Sequence, residues 1–88
     1  MTSTIKQMYK TIDYTNPSYT LTGGQREYAL FGYPSGMKKA ISATLMSTPN
    51  ADWVTAKVFL SSDGVRVYMH NEYSSQITGT VAVRLLYI

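Results

Sequence analysis

Apolar residues at every second position near the end of the chain constrain the fold more than any other feature. In "VRVYMHN" and again in "TVAVRLLY", almost every second residue is apolar. A period of two places alternate side chains on opposite faces of a β-strand, so each stretch predicts a strand with one buried face. For the final strand, we expect these residues on the core side: Val81, Val83, Leu85 and Tyr87.

A hairpin precedes this strand, and Asp63-Gly64 is its predicted corner. A type I′ turn needs positive φ at both central residues, and Asp-Gly is a common pair there. Three pairs result from this corner: Leu60 with Val67 and Val58 with Met69 on the core side, and Phe59 with Tyr68 on the outer side. Both strands then agree on the apolar face, which supports the hairpin.

The same patterns divide the rest of the chain into short strands. A second hairpin through Asn71–Thr78 would make the last three strands an antiparallel meander. Upstream, we expect strands over these ranges: 6–14, 19–21, 25–31 and 37–47, the last with Ile41, Ala43 and Leu45 on one side. Six or seven short strands predict an all-β antiparallel sandwich in a single domain over residues 1–88, with residues 1–14 as an N-terminal strand or arm.

Length and composition limit what such a domain can use for stability and chemistry. A chain of 88 residues builds only a small core, and it has no cysteine for disulfides or thiolate zinc sites. His70 is the only histidine, so we expect no metal and no cofactor. Association with further copies is the remaining route to stability, and we expect a homo-oligomer.

Charge and hydropathy argue against two classes of partner. The net charge is only +3 and the basic residues are scattered along the sequence, which predicts no nucleic-acid surface. The longest apolar runs span only a few residues, so neither a signal peptide nor a membrane-spanning helix is expected.

Reactive groups are few, and we expect no enzymatic activity. A nucleophilic triad would have to use His70, for which Glu72 is the conceivable partner, and this hydrolase remains an alternative. The carboxylates show no paired spacing typical of glycosidases, and no glycine-rich phosphate loop is present.

Aromatic residues are the more informative side chains. We expect Trp53, Phe59, Tyr68 and His70 on the outer face of the first hairpin, with Tyr73 at its end. Aromatic rings grip sugar rings and also anchor protein interfaces. This face is therefore either covered by a second sheet or neighbouring subunit, or exposed to a ligand, or simply part of the surface.

Five stretches in order resemble the C-terminal domains of bacteriophage and prophage tail fibre or baseplate receptor-binding proteins. They are "GYPSGMKKAISATLMS", "DWVTAKVFLSSDG", "VRVYMHNEYSS", "TGTV" and "VRLLYI", within residues 30–88. The resemblance implies a β-sandwich, usually trimeric, at the distal tip of a virion appendage. It also implies that the closing strand is packed in the core or against the threefold axis. No shaft-like segment precedes these stretches, so we expect an excised domain or a small stand-alone virion protein.

These expectations combine into one functional hypothesis: a non-enzymatic virion protein that adheres to host cell-surface saccharide. Trp53 and Tyr73 would stack on sugar faces, and His70 would form a hydrogen bond with a hydroxyl. Four residues are predicted at the interface of a trimer: Phe59, Tyr68, Leu86 and Ile88. The chain would be made in the bacterial cytoplasm and contact other virion proteins. The alternative is a structural component, for capsid decoration or for tail or baseplate assembly, with no ligand of its own.

Overall fold

A computed structural model describes residues 8–50 and 52–88, and it confirms an all-β fold in that part of the chain. Six strands are present: β1 Lys10–Leu21, β2 Arg26–Phe31, β3 Ala40–Ser47, β4 Val54–Leu60, β5 Val65–Asn71 and β6 Ile77–Tyr87. The described residues include no helix long and apolar enough to cross a bilayer.

The strands form two antiparallel three-stranded sheets, in the orders β1-β6-β3 and β2-β5-β4. The core lies between the sheets, and the middle strands β5 and β6 contribute most of it. The buried apolar residues are Leu21, Ala29, Val54, Val65, Val67, Met69, Ile77, Val81, Val83 and Leu85. The prediction that the final strand is core is confirmed, with Tyr87 half-buried at its end.

Two predicted core residues are less buried than expected. Val58 and Leu60 pack against the core but are only half-buried. Their strand, β4, lies at the edge of its sheet, whereas β5 and β6 each have a neighbour on both sides. An edge strand has a neighbour on one side only, which leaves these two residues less covered than the inward residues of β5 and β6.

The predicted three-stranded meander is wrong, because β5 and β6 belong to different sheets. Both strands carry inward faces that are almost fully buried, including Val67 on β5 and Val83 on β6. Placing each strand at the centre of its own sheet gives it two hydrogen-bonding neighbours and lets the two apolar faces lie on opposite sides of one core. A meander would have put both faces on a single sheet.

The β4–β5 hairpin is confirmed, but its register is two residues from the predicted one. Leu60 pairs with Val65 and Val58 with Val67. The Ser61 amide donates to the Gly64 carbonyl at 2.9 Å. Asp63 has a negative φ, because Asn50 alone among the described non-glycine residues has a positive one. The Asp63-Gly64 corner is therefore not a type I′ turn, which needs positive φ at both central residues. A shift of two residues preserves the faces, which is why the inward set was predicted correctly.

Strand β1 is longer than predicted because a bulge joins two segments. The stretches predicted over 6–14 and 19–21 form one strand from Lys10 to Leu21, and residues 1–7 lie outside the described part. Its register against β6 shifts between Asn16 and Tyr19. The Asn16 Oδ1 accepts a hydrogen bond from the Ser18 amide at 3.1 Å inside this bulge.

Bulges also explain a wrong prediction in β3. Its register against β6 shifts between Ala40 and Ser42, so Ile41 is an extra residue in the strand. Ile41 is exposed, whereas Ala43 and Leu45 are half-buried and pack against the core as predicted. An extra residue reverses the phase of the alternation, which moves Ile41 to the outside.

Candidate functional site

Three aromatic and three basic side chains share the outer side of the β2-β5-β4 sheet. Antiparallel pairing sets its outward residues in three cross-strand rows, which together we call the outer face: Arg26–His70–Thr55, Tyr28–Tyr68–Lys57 and Leu30–Arg66–Phe59. Every second residue of each strand points this way because the intervening residues face the core. A surface built on three strands holds its side chains in fixed relative positions.

Three aromatic rings are in contact on this face, with Tyr68 in the centre. The Tyr68 and Phe59 ring centroids are 5.1 Å apart with nearly parallel planes, and those of Tyr68 and Tyr28 are 5.3 Å apart. Phe59 and Tyr68 meet diagonally, because Phe59 pairs with Arg66 and Tyr68 pairs with Lys57. All three rings are exposed, so each can offer surface to a partner.

A shallow depression of about 410 Å³ lies beside Tyr68. Its lining combines a ring with hydrogen-bonding and charged groups: Arg26, Thr55, Lys57, Tyr68 and His70, together with Ala56 and Met69. The depression is open to solvent, and a few convergent polar groups around an aromatic ring are typical of ligand sites. We regard this depression as the candidate site.

Trp53 and Tyr73 form a second aromatic pair at one end of the same sheet. Their ring centroids are 4.9 Å apart, and the two residues are 46% and 40% exposed. Trp53 directly precedes buried Val54, so it lies on the outer side of β4, and its carbonyl accepts a hydrogen bond from the Glu72 amide at 2.9 Å. The structure thus brings together the predicted stacking residues, and it places predicted His70 in the depression.

Asn71 holds this end of the sheet in place, and the sequence reasoning missed it. It is fully buried, and its Nδ2 lies 3.2 Å, 3.0 Å and 2.9 Å from the carbonyl oxygens of Leu21, Thr22 and Ser75. Its Oδ1 accepts from the Tyr73 amide at 2.9 Å. The available signal was a polar residue at an inward position of β5, whose other inward residues are apolar.

Tyr28, Arg26 and Leu30 were also missed as site residues. The sequence left the inward face of the 25–31 strand undecided, and burial of Ala29 now settles it. Antiparallel pairing then sets Arg26 beside His70 and Tyr28 beside Tyr68. No local pattern in the sequence predicts such neighbours across strands.

Arg66 is already paired on this face. Its Nη2 lies 3.1 Å from the Asp63 carboxylate, and its guanidinium lies 4.8 Å from the centre of the Tyr28 ring. Hydrogen bonds from the Ser61 hydroxyl and from Arg66 lower the pKa of Asp63, and the same carboxylate raises the pKa of Arg66. Within the described residues, no carboxylate lies at ion-pair distance from Arg26 or Lys57.

The predicted interface residues do not form one surface. Phe59 and Tyr68 lie on the outer face, whereas Leu86 is on the outer side of the other sheet, on β6. Ile88 follows that strand, and its main chain exchanges hydrogen bonds with Lys39 at 2.9 Å. Phe59 and Tyr68 are therefore on the opposite side of the sandwich from Leu86 and Ile88. The predicted meander would have put all four on one sheet, but β5 and β6 belong to different sheets.

The proposed hydrolase pair gains no geometric support. Over residues 8–50 and 52–88, no hydrogen bond or ion pair joins His70 to Glu72. No three His, Asp or Glu side chains in that part of the chain lie close enough together to hold a metal ion.

Comparisons with known protein families, with curated proteins and with solved structures gave no match for this chain. The resemblance to tail fibre and baseplate domains stays a prediction from the sequence.

Proposed function

We propose that this protein is a non-catalytic binding module that attaches to saccharide on a cell surface. The observation that carries the proposal is the outer face itself, where exposed rings border a depression lined by hydrogen-bonding groups. A sugar ring has an apolar face that packs on an aromatic plane and hydroxyls at its rim that need polar partners. Tyr68 supplies the plane, and Thr55 and His70 supply the partners.

The Trp53–Tyr73 pair extends this surface along the sheet. Trp53 pairs with Glu72, one cross-strand row beyond the His70–Thr55 row, and successive rows on one face are about 7 Å apart. A chain of several sugars could therefore contact Tyr68 at one point and Trp53 at another. Such contacts are individually weak, so adhesion requires several copies acting together on one assembly.

A trimer at a virion tip would provide those copies. Two features support an oligomer: the buried core is small, and ten large apolar residues in the described part of the chain are exposed. The virion location and the threefold symmetry rest on the sequence resemblance to tail fibre and baseplate domains.

A test begins with an array of bacterial surface polysaccharides, followed by affinity measurements on the best binder. We expect Trp53→Ala and Tyr68→Ala each to weaken binding about two- to tenfold, since stacking on one ring is worth about 0.5–1.5 kcal/mol beyond area burial. Met46→Ala is the matched control, because Met46 is exposed on the other sheet. Absence of binding to every polysaccharide would contradict adhesion, and equal binding by all variants would contradict adhesion through the outer face.

The stacked Phe59 and Tyr68 rings support a second candidate, a structural virion component. Exposed contiguous rings also mark surfaces that subunits bury between them. Sedimentation of Phe59→Ala and Tyr68→Ala separates the two candidates. If the wild type is an oligomer and these variants dissociate into folded monomers, the face is a subunit interface. If assembly is unchanged while saccharide binding is lost, the face binds saccharide.

A further inference from the structure

Basic residues that are scattered in the sequence meet on one surface of the fold. Arg26, Lys57 and Arg66 come from three different strands, and pairing of β2 and β4 with β5 sets them all on the outer face. None of the nine residues of this face is acidic, and Glu72 follows one row beyond them, paired with Trp53. The modest net charge of +3 is therefore unevenly distributed, with unpaired positive charge beside the depression.

Among the described residues, ion pairs neutralise two of the basic side chains, and one of these is on the outer face itself. Arg84 lies 2.7 Å from Asp13 on the other sheet, and Arg66 lies 3.1 Å from Asp63 at the hairpin tip. Arg26 and Lys57 have no such partner among the described residues, and both line the depression. Two cations thus flank the ring and the hydrogen-bonding groups that would hold a sugar.

We propose that the saccharide is acidic, and that Arg26 and Lys57 bind its anionic groups while Tyr68 packs against a sugar ring. This inference rests on the proposed function and names the chemical class of its ligand. The anionic group is a carboxylate or a phosphate, since a guanidinium pairs with either through two parallel hydrogen bonds. The ammonium of Lys57 acts as a point charge toward both.

The geometry suits an extended polymer better than a single small anion. Arg26 and Lys57 are on the two strands that flank β5 and are one row apart along them, so their backbone positions are about 12 Å apart. At that separation each cation meets a different acidic group of one chain. Single-stranded nucleic acid also combines phosphates with planes for stacking, but its binding grooves follow the backbone with more extensive positive charge than two unpaired side chains.

Four defined probes test the proposal: polygalacturonate, which carries carboxylates, phosphomannan, which carries phosphates, neutral dextran and oligo(dT). Affinities are measured with full-length protein at low and moderate salt. We expect at least one acidic polysaccharide to bind about tenfold or more tightly than dextran, with affinity falling as salt rises. The two acidic probes show whether carboxylate or phosphate is the group recognised.

The decisive variant is Arg26→Gln/Lys57→Gln, which we expect to bind the acidic probe about tenfold more weakly. Its matched control is Lys10→Gln/Lys39→Gln, which removes the same charge from exposed positions off this face. Both double variants should keep the wild-type melting temperature, since all four side chains are at the surface. Equal weakening by the two variants would overturn the proposal, because it would show a nonspecific effect of net charge.

The remaining outcomes separate this inference from the proposed function. Equal binding of dextran and the acidic polysaccharides, unaffected by Arg26→Gln/Lys57→Gln, overturns the inference and leaves saccharide adhesion standing. Tighter binding of oligo(dT) than of either acidic polysaccharide overturns it in favour of nucleic acid. Failure of every saccharide in this panel and on the array removes both proposals.

Discussion

Replacing Asn71 with alanine should destabilise the fold more than the loss of a typical surface polar side chain would. The change removes the Nδ2 contacts with the carbonyl oxygens of Leu21, Thr22 and Ser75, and the Oδ1 contact with the Tyr73 amide. Two Nδ2 hydrogens are shared among three acceptors, so about three effective bonds are lost at about 1 kcal/mol each. We expect a loss of about 3 kcal/mol, a large part of the about 5–15 kcal/mol that stabilises a typical domain.

Urea unfolding, followed by Trp53 fluorescence, measures this loss by linear extrapolation. Asn16→Ala is the matched control, because Asn16 makes its one side-chain hydrogen bond in an exposed bulge, and we expect it to cost less than about 1 kcal/mol. Asn71→Asp keeps the shape but turns an oxygen toward the three carbonyls, so it should be at least as destabilised as Asn71→Ala at pH 7. An Asn71→Ala protein within about 1 kcal/mol of the wild type would refute the reasoning.

Three further predictions concern the hairpin tip and the final strand. Gly64→Ala should lower the free energy of unfolding by about 2 kcal/mol or more, measured by thermal unfolding. A φ of 155° is unfavourable for alanine, and the added Cβ would collide with the carbonyl of Phe31 on β2. Gly32→Ala is the control and should change little, because a Cβ there meets no other atom. Removal of residues 85–88 should lower the free energy of unfolding by at least about 4 kcal/mol, because fully buried Leu85 is lost together with backbone pairing to β1 and β3. An unchanged melting temperature of the truncated protein would contradict this prediction. In an NMR titration, the pKa of Asp63 should lie below the ordinary aspartate value. In the Arg66→Gln protein it should rise only part of the way back, because the hydrogen bond from Ser61 remains. Because the pKa of Asp63 is lowered by folding, its stabilising contribution is complete above the unfolded-state pKa and is lost as pH falls through the folded-state pKa.

Local periodicity was enough to predict which faces are buried in the last three strands. Val67, Met69, Val81, Val83 and Leu85 were all assigned inward and all are buried. The assignment of faces was correct even though the predicted register of the β4–β5 hairpin was wrong, because a shift of two residues leaves every side chain on the same face. Alternation therefore predicts faces more securely than it predicts partners.

The division of β5 and β6 between two sheets could not be predicted in this way. Alternation states that a strand has a buried side, but it does not state which other strand lies next to it. The bulges at Ile41 and at Asn16–Tyr19 could not be predicted either. A bulge is one extra residue relative to the partner strand, so it can be recognised only when the partner is known.

The candidate site was predicted in part. Outward placement of Phe59, Tyr68 and His70 followed from the period of the β4–β5 hairpin. Arg26 and Tyr28 joined them only through the pairing of β2 with β5, which no short sequence pattern predicts. The sequence therefore indicated an aromatic surface and concealed its positive charge.

The most direct test of the account is a map of backbone amide shifts during titration with oligogalacturonate, a short acidic saccharide. We expect the largest changes in strands β2, β4 and β5 around the depression, together with the Trp53 indole, and little change on the β1-β6-β3 sheet. Changes confined to the β1-β6-β3 sheet, or equal changes in the Arg26→Gln/Lys57→Gln protein, would contradict the account.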